Sequence, residues 1–164
     1  MTRHHHSVFK EGAIAGLLGA FTVALWFLAL DLAQGRPLFT PSVLGQILLL
    51  GKGTPVTDGI EAVAVALYTV FHFVAFIVFG MGVTKMVHLA ITIPALRFGL
   101  LMLFVVFEVF FWGITYLFFA GTRGLFPRGA MLVANTLAAI VMATYLWQRH
   151  PSLRRALRHE ALGS

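Results

Sequence analysis

The chain has 164 residues, the length of one ordinary domain, and 59% of them are hydrophobic while only 11% are charged. Ordinary globular proteins carry about 25% charged residues, so the composition excludes a soluble domain and indicates an integral membrane protein. The absence of cysteine excludes disulfides, thiolate metal ligands and cysteine nucleophiles. The net charge of +6 comes mostly from basic residues that flank apolar runs, so we expect contact with anionic lipid and not with nucleic acid.

Four apolar runs predict four transmembrane helices, at residues 12–33, 60–84, 97–120 and 129–148. Each run provides the roughly 20 residues that a helix needs to cross the bilayer core. Helices are expected because a spanning segment must satisfy its backbone hydrogen bonds internally. The first run is longer than the core of a secretory signal, so we predict an uncleaved anchor. The sequence therefore predicts an all-α, integral membrane four-helix bundle that forms one transmembrane domain over residues 1–164.

A shorter helix is predicted between the first two spans, at residues 41–50. Thr40 is expected to be its N-cap, Pro41 its first helical residue and Gly51 its stop signal. This segment is too short to cross a bilayer, so we favour a helix that lies on the membrane surface. A gate or lid is the alternative.

The distribution of basic residues predicts the orientation of the chain. With both termini in the cytoplasm, eight of the 12 lysine and arginine residues face that side and four face the other, which agrees with the positive-inside rule. We therefore predict a bacterial-type cytoplasmic (inner) membrane with both termini inside. The basic tail at residues 149–164 is expected to lie along the anionic inner leaflet.

Small residues recur every four positions in two of the spans, and such stripes let helix backbones approach closely. We favour packing within one molecule, with contact to a second protein as the alternative. The 16 phenylalanines are expected mainly to face lipid, although they could also contact a lipid, quinone, carotenoid pigment or neighbouring subunit. The two stripes are Gly12, Gly16, Ala20 and Ala24, and Ala130, Ala134 and Ala138.

Two ionisable residues, His72 and Glu108, lie near the centres of the second and third spans. An ionisable side chain at that depth costs about 2.5–3.5 kcal/mol or more, so it is usually partnered or hydrated. We predict that the two side chains face the bundle interior within hydrogen-bond reach, directly or through one water. Tyr68 and Trp112, one helical turn away, are expected to flank them.

Further polar residues, Thr115 and Asn135, are predicted to lie in the outer halves of their spans and to line a funnel that opens outwards. The inner halves are predicted to hold little that is polar beyond Thr22, which argues against a continuous water channel. The pair at the floor of this funnel could bind a proton or a ligand. A hydrogen-bonded pair that only fixes helix register is the alternative.

No metal site or cofactor is predicted, although a bound lipid, quinone or pigment is possible. A haem with two histidine ligands needs a second embedded histidine, and His88 is assigned to the loop after the second span. A zinc ion at His72 and Glu108 would lack a third protein ligand. The His4-His5-His6 triplet is either native or left from an affinity tag, and no function is assigned to it.

The sequence favours a non-enzymatic protein, because recognisable nucleophile, phosphate-loop and metalloprotease motifs are missing. The leading hypothesis is a subunit of a larger membrane assembly or of a homo-oligomer, with lipids and other subunits or copies of itself as partners. One alternative is a small transporter or proton-coupled carrier that uses His72 and Glu108 at the midplane. Another is a membrane enzyme that acts on lipid or quinone.

Overall fold

The computed structural model describes residues 8–93, 95–96, 98–100, 102–103, 105–106, 109, 125 and 129–151. Within these residues the secondary structure is helical, as the sequence predicts. Four helices can be delimited in the described ranges: α1 (Val8–Ala33), α2 (Phe39–Leu48), α3 (Ala62–Thr92) and α4 (Ala130–Arg149). The predicted span at residues 97–120 lies mostly outside the described residues.

Three of these helices, α1, α3 and α4, are long and apolar enough to cross a membrane. They contain 26, 31 and 20 residues, which correspond to about 39, 46 and 30 Å at 1.5 Å per residue. Each length reaches the roughly 30 Å of a bilayer core. The chain therefore has the helices of an integral membrane protein.

The end of α3 differs from the prediction, because the helix continues past Thr84 to Thr92. The placement of His88 in a loop is therefore wrong. Lys85 and His88 end the strictly apolar run, but no helix-breaking residue follows them until Pro94. The residue before a proline avoids helical dihedrals, and Ile93 is extended with φ −119° and ψ 101°.

Helices α1 and α3 are antiparallel and in backbone contact, because glycines face each other where they cross. A Cβ atom at Gly80 would lie 2.7 Å from the Cα atom of Gly16, and a Cβ at Gly16 would lie 2.7 Å from the Cα atom of Ile77. Both distances are too short for any side chain. The small-residue stripe of α1 therefore packs within the molecule, as favoured from the sequence.

The alanine stripe of α4 is also used internally. Ala130, Ala134 and Ala138 are buried, and the last two pack with Val23 of α1. The indole Nε1 of Trp26 donates a hydrogen bond of 3.0 Å to the backbone carbonyl of Ala130. These contacts fix α4 against α1.

The short helix α2 is present, but its predicted cap is wrong. The helix begins at Phe39, so Thr40 lies inside its first turn. The carboxylate of Asp31, at the end of α1, accepts hydrogen bonds from the Thr40 amide at 2.8 Å and from the Thr40 hydroxyl at 2.7 Å. Asp31 thus supplies from another helix the acceptor that a local cap would provide.

The carboxyl-terminal part of α2 is held to the segment before α3 by the buried side chain of Gln46. Its Oε1 accepts a hydrogen bond of 2.9 Å from the Val56 amide, and its Nε2 donates one of 3.1 Å to the Val56 carbonyl. Helix α2 ends at Leu48, and the exposed residues after it include Leu49 and Leu50. The location of α2 on the membrane surface stays a prediction.

Candidate functional site

The predicted midplane pair is only half within the described residues. His72 is half-buried in α3, and its Nε2 lies 3.1 Å from the backbone carbonyl oxygen of Ala20. Glu108, Trp112 and Thr115 lie outside the described residues, so their proximity to His72 stays a prediction.

In the described residues, the aromatic rings that contact His72 lie on its own helix, α3, and its link to α1 is the contact with the Ala20 carbonyl. Tyr68 stacks on the imidazole with ring centroids 5.8 Å apart and an interplanar angle of 26°, and Phe76 approaches it to 4.7 Å. Asn135 is partly buried on α4, and its Nδ2 has no hydrogen-bond partner in the described part of the chain. The His72 contacts support a packing role between α1 and α3.

A different set of ionisable residues meets at one end of the bundle. Glu11 lies in the first turn of α1, His88 lies near the carboxyl end of α3, and His150 is the C-cap of α4. We call these three residues the Glu–His cluster, and the end of the bundle that holds them the proximal end. Three different helices therefore supply one side chain each.

The distances within the Glu–His cluster are short. His150 Nε2 lies 3.1 Å from Glu11 Oε2, and His88 Nε2 lies 3.5 Å from the same oxygen. The two imidazole rings meet edge to face with centroids 4.7 Å apart and an interplanar angle of 77°. One carboxylate oxygen thus lies within 3.5 Å of a nitrogen of each imidazole.

The Glu–His cluster is largely buried, which decides how strongly its charges matter. The side chains of Glu11 and His150 are each 7% exposed, whereas that of His88 is 31% exposed. A buried carboxylate is costly unless cationic or hydrogen-bonding groups surround it. Helix termini assist here, because a negative group is favoured in the first turn of α1 and a positive group at the end of α4.

The donor atoms have the composition and spacing of a metal site. One ligand atom each from Glu11, His88 and His150 can be chosen so that all lie within 4.8 Å of one another. Around tetrahedral zinc, with bonds of about 2.0–2.2 Å, ligand atoms are roughly 3.4 Å apart. The two carboxylate–imidazole separations already have that length. The donor atoms of the two imidazoles lie within 4.8 Å of each other and would have to approach to the same separation.

The sequence analysis missed this cluster. Each of its residues lies just outside a predicted span and looks like an ordinary polar flank of an apolar run. The available signal was topological, because the start of the first span and the ends of the second and fourth must share one membrane side. Comparing the residues at those three ends would have predicted that Glu11, His88 and His150 lie close together.

No family model, no curated protein and no solved structure matches the chain. The function must therefore be argued from the site itself.

Proposed function

We propose that this membrane protein binds a divalent transition metal ion of the zinc class at Glu11, His88 and His150. The observation that carries the proposal is the convergence of one carboxylate oxygen and two imidazole nitrogens within 4.8 Å. Two of the three residues are buried, and each comes from a different helix. A chance surface cluster would have neither property.

The chemistry of the donors selects the class of ion. Imidazole nitrogens suit zinc and its transition-metal neighbours, whereas magnesium and calcium prefer sites built only from oxygen. The divalent charge would also attract the buried Glu11 carboxylate. The cluster is therefore proposed for a borderline ion such as Zn²⁺.

The position of the cluster favours a binding function over transport. Secondary transporters place their substrates near the bilayer midplane, but the Glu–His cluster lies where α1 starts and where α3 and α4 end. If both termini face the cytoplasm, as the basic residues predict, the ion comes from the cytoplasmic side. His88, the most exposed of the three side chains, faces the route by which it enters.

The test measures metal stoichiometry and affinity in protein reconstituted in nanodiscs. His4, His5 and His6 are first replaced by alanine, because such a triplet binds metal by itself. Cobalt absorption and elemental analysis should then give one ion per chain. His150→Ala should weaken binding at least tenfold, whereas His72→Ala, a histidine outside the cluster, should leave it unchanged. Equal affinity in the two variants would contradict the proposal.

A second candidate function is participation in a larger membrane assembly or a homo-oligomer. It is favoured by a continuous exposed apolar stripe along α3, whose members recur at helical spacing. These residues are Val63, Leu67, Val70, Val74 and Val78, each at least 44% exposed. Native mass spectrometry from lipid nanodiscs tests this function. A strictly monomeric particle with no co-purified chain would contradict it.

A further inference from the structure

Two hydroxyl groups on α3 and α4 are buried without a hydrogen-bond partner among the residues that the structure describes. They are the Oγ1 of Thr84, in a residue that is 0% exposed, and the Oη of Tyr145. Buried polar groups in folded proteins nearly always bond to protein or to ordered water. Both hydroxyls therefore need an explanation.

Thr84 differs from other threonines in the helices. Thr22, Thr69 and Thr144 each donate a hydrogen bond of 2.7–2.8 Å to the carbonyl four residues earlier in their own helix. This is the usual way for a helical threonine to satisfy its hydroxyl. Thr84 also lies well inside a helix, but its hydroxyl does not use this bond. The group is therefore available to another partner inside the bundle.

Thr84 and Tyr145 precede His88 and His150 by four and five residues, so their backbone positions lie a little more than one helical turn deeper in the bundle. Thr84 precedes His88 by four residues, which places the two on the same face of α3. Tyr145, on α4 before His150, packs against the buried cluster that contains Ala15 and Val87. Ala15 in turn follows Glu11 by four residues on α1. Two of the three helices, α3 and α4, thus carry a buried hydroxyl below the cluster, and the corresponding residue of α1 is the apolar Ala15.

We infer that Thr84 and Tyr145 hold ordered water beneath the Glu–His cluster, and that this water fills the fourth position of the bound ion. The second part of this inference, that the water is bound to the ion, rests on the proposed function. A zinc ion with three protein ligands keeps one position for water, and a buried water bonds about three polar groups that otherwise lack partners. Thr84 and Tyr145 are then positioning residues, because they act on the ion through its water ligand.

The first experiment tests the water without any metal, by thermal unfolding in the presence of EDTA. Thr84→Val replaces the hydroxyl by a methyl group of the same shape. If the hydroxyl bonds water, this change leaves that water underbonded and lowers Tm by about 2–4 °C. Thr84→Ser, which keeps a hydroxyl, should lower Tm less. If the Thr84 hydroxyl has no water partner, Thr84→Val removes an unsatisfied polar group and should raise Tm. That result would overturn the inference.

The matched control is Thr144→Val, because the Thr144 hydroxyl bonds the Ile140 carbonyl on an exposed helix face. Relative to the wild type, Thr144→Val should change Tm less than Thr84→Val does. Circular dichroism verifies that each variant keeps its helix content. Equal effects of Thr84→Val and Thr144→Val would also count against a special role for Thr84.

The second experiment measures cobalt binding by the same variants, in protein with His4, His5 and His6 replaced by alanine. Groups that orient a metal ligand typically change affinity by about 10–100-fold when removed. Thr84→Val and Tyr145→Phe should weaken cobalt binding to that extent and shift its absorption bands, and Thr84→Ser should restore both. Normal cobalt affinity and bands in both variants would overturn the inference and leave the proposed function intact. A wild-type protein that binds no cobalt would refute the proposed function, while the EDTA experiment still decides whether Thr84 binds water.

Discussion

At the scale of single residues, Glu11 is the centre of the site, because its Oε2 lies within 3.5 Å of both histidines. Its position in the first turn of α1 and its burial make its charge hard to replace. A carboxylate is also the only anionic donor in the Glu–His cluster. The ion-binding properties of the site should therefore depend on this one charge.

Glu11→Gln tests that dependence with little change of shape. Without metal, we expect this variant to unfold at a temperature equal to or below that of the wild type, because removing one partner of a buried charged contact destabilises the fold. With zinc at saturating concentration, only the wild type should gain Tm, since binding to the folded state stabilises it by mass action. Thermal unfolding with and without zinc measures both effects. An equal zinc-induced gain in Glu11→Gln would contradict the role given to the carboxylate.

At the scale of elements, the contact between α1 and α3 fixes the geometry of the site. Gly80 lies against the backbone of Gly12 and Gly16. These two glycines follow Glu11 by one and five residues on α1, and Gly80 precedes His88 by eight residues, about two turns, on α3. Any side chain at this crossing must push the two helices apart. The separation between Glu11 and His88 would then increase.

Gly80→Ala and Gly82→Ala form a matched pair, because both lie in α3 and only Gly80 faces a neighbour within 4 Å. Alanine in a helix interior is favoured over glycine by about 1 kcal/mol, so Gly82→Ala should raise Tm slightly. Gly80→Ala should lower Tm and weaken zinc binding at least tenfold. Thermal unfolding and cobalt titration measure these effects. Equal behaviour of the two variants would show that this crossing does not position the site.

The hydrogen bonds that hold the start of α2 against the end of α1 give another prediction at the scale of elements. Asp31→Ala would remove the acceptor of two hydrogen bonds from Thr40. We expect the free energy of unfolding to fall by about 2–3 kcal/mol, because hydrogen bonds to charged groups are strong and the Thr40 amide would lose its partner. Denaturant unfolding measures this loss. The control is Asp58→Ala, because Asp58 is exposed and its carboxylate accepts a hydrogen bond of 3.4 Å from the neighbouring Thr57 hydroxyl. An equal loss there would contradict the prediction.

The helices themselves could be predicted well from the sequence, because apolar runs of about 20 residues have few alternatives in a membrane. Two details could not. The end of α3 is set by Pro94 and not by the first polar residues, so hydropathy alone ends the helix too early. The cap of α2 comes from Asp31, nine residues before Thr40, and such a contact depends on tertiary structure.

At the scale of the whole molecule, the Glu–His cluster joins the start of α1 to the ends of α3 and α4. A metal ion there would link three segments that are far apart in sequence. His72 lies in the middle of α3, as the sequence predicts, and a site that it shares with Glu108 stays a prediction. The observed cluster depends on which helix ends meet, and this follows from topology and packing, not from any local pattern.

The measurement that most directly tests the central claim is zinc-edge X-ray absorption of zinc-loaded protein with His4, His5 and His6 replaced by alanine. We predict a first shell of nitrogen and oxygen at about 2.0–2.1 Å, with outer-shell scattering from two imidazole rings. In His150→Ala the scattering from one ring should disappear. A first shell without imidazole scattering, or a spectrum unchanged in His150→Ala, would contradict metal binding at Glu11, His88 and His150.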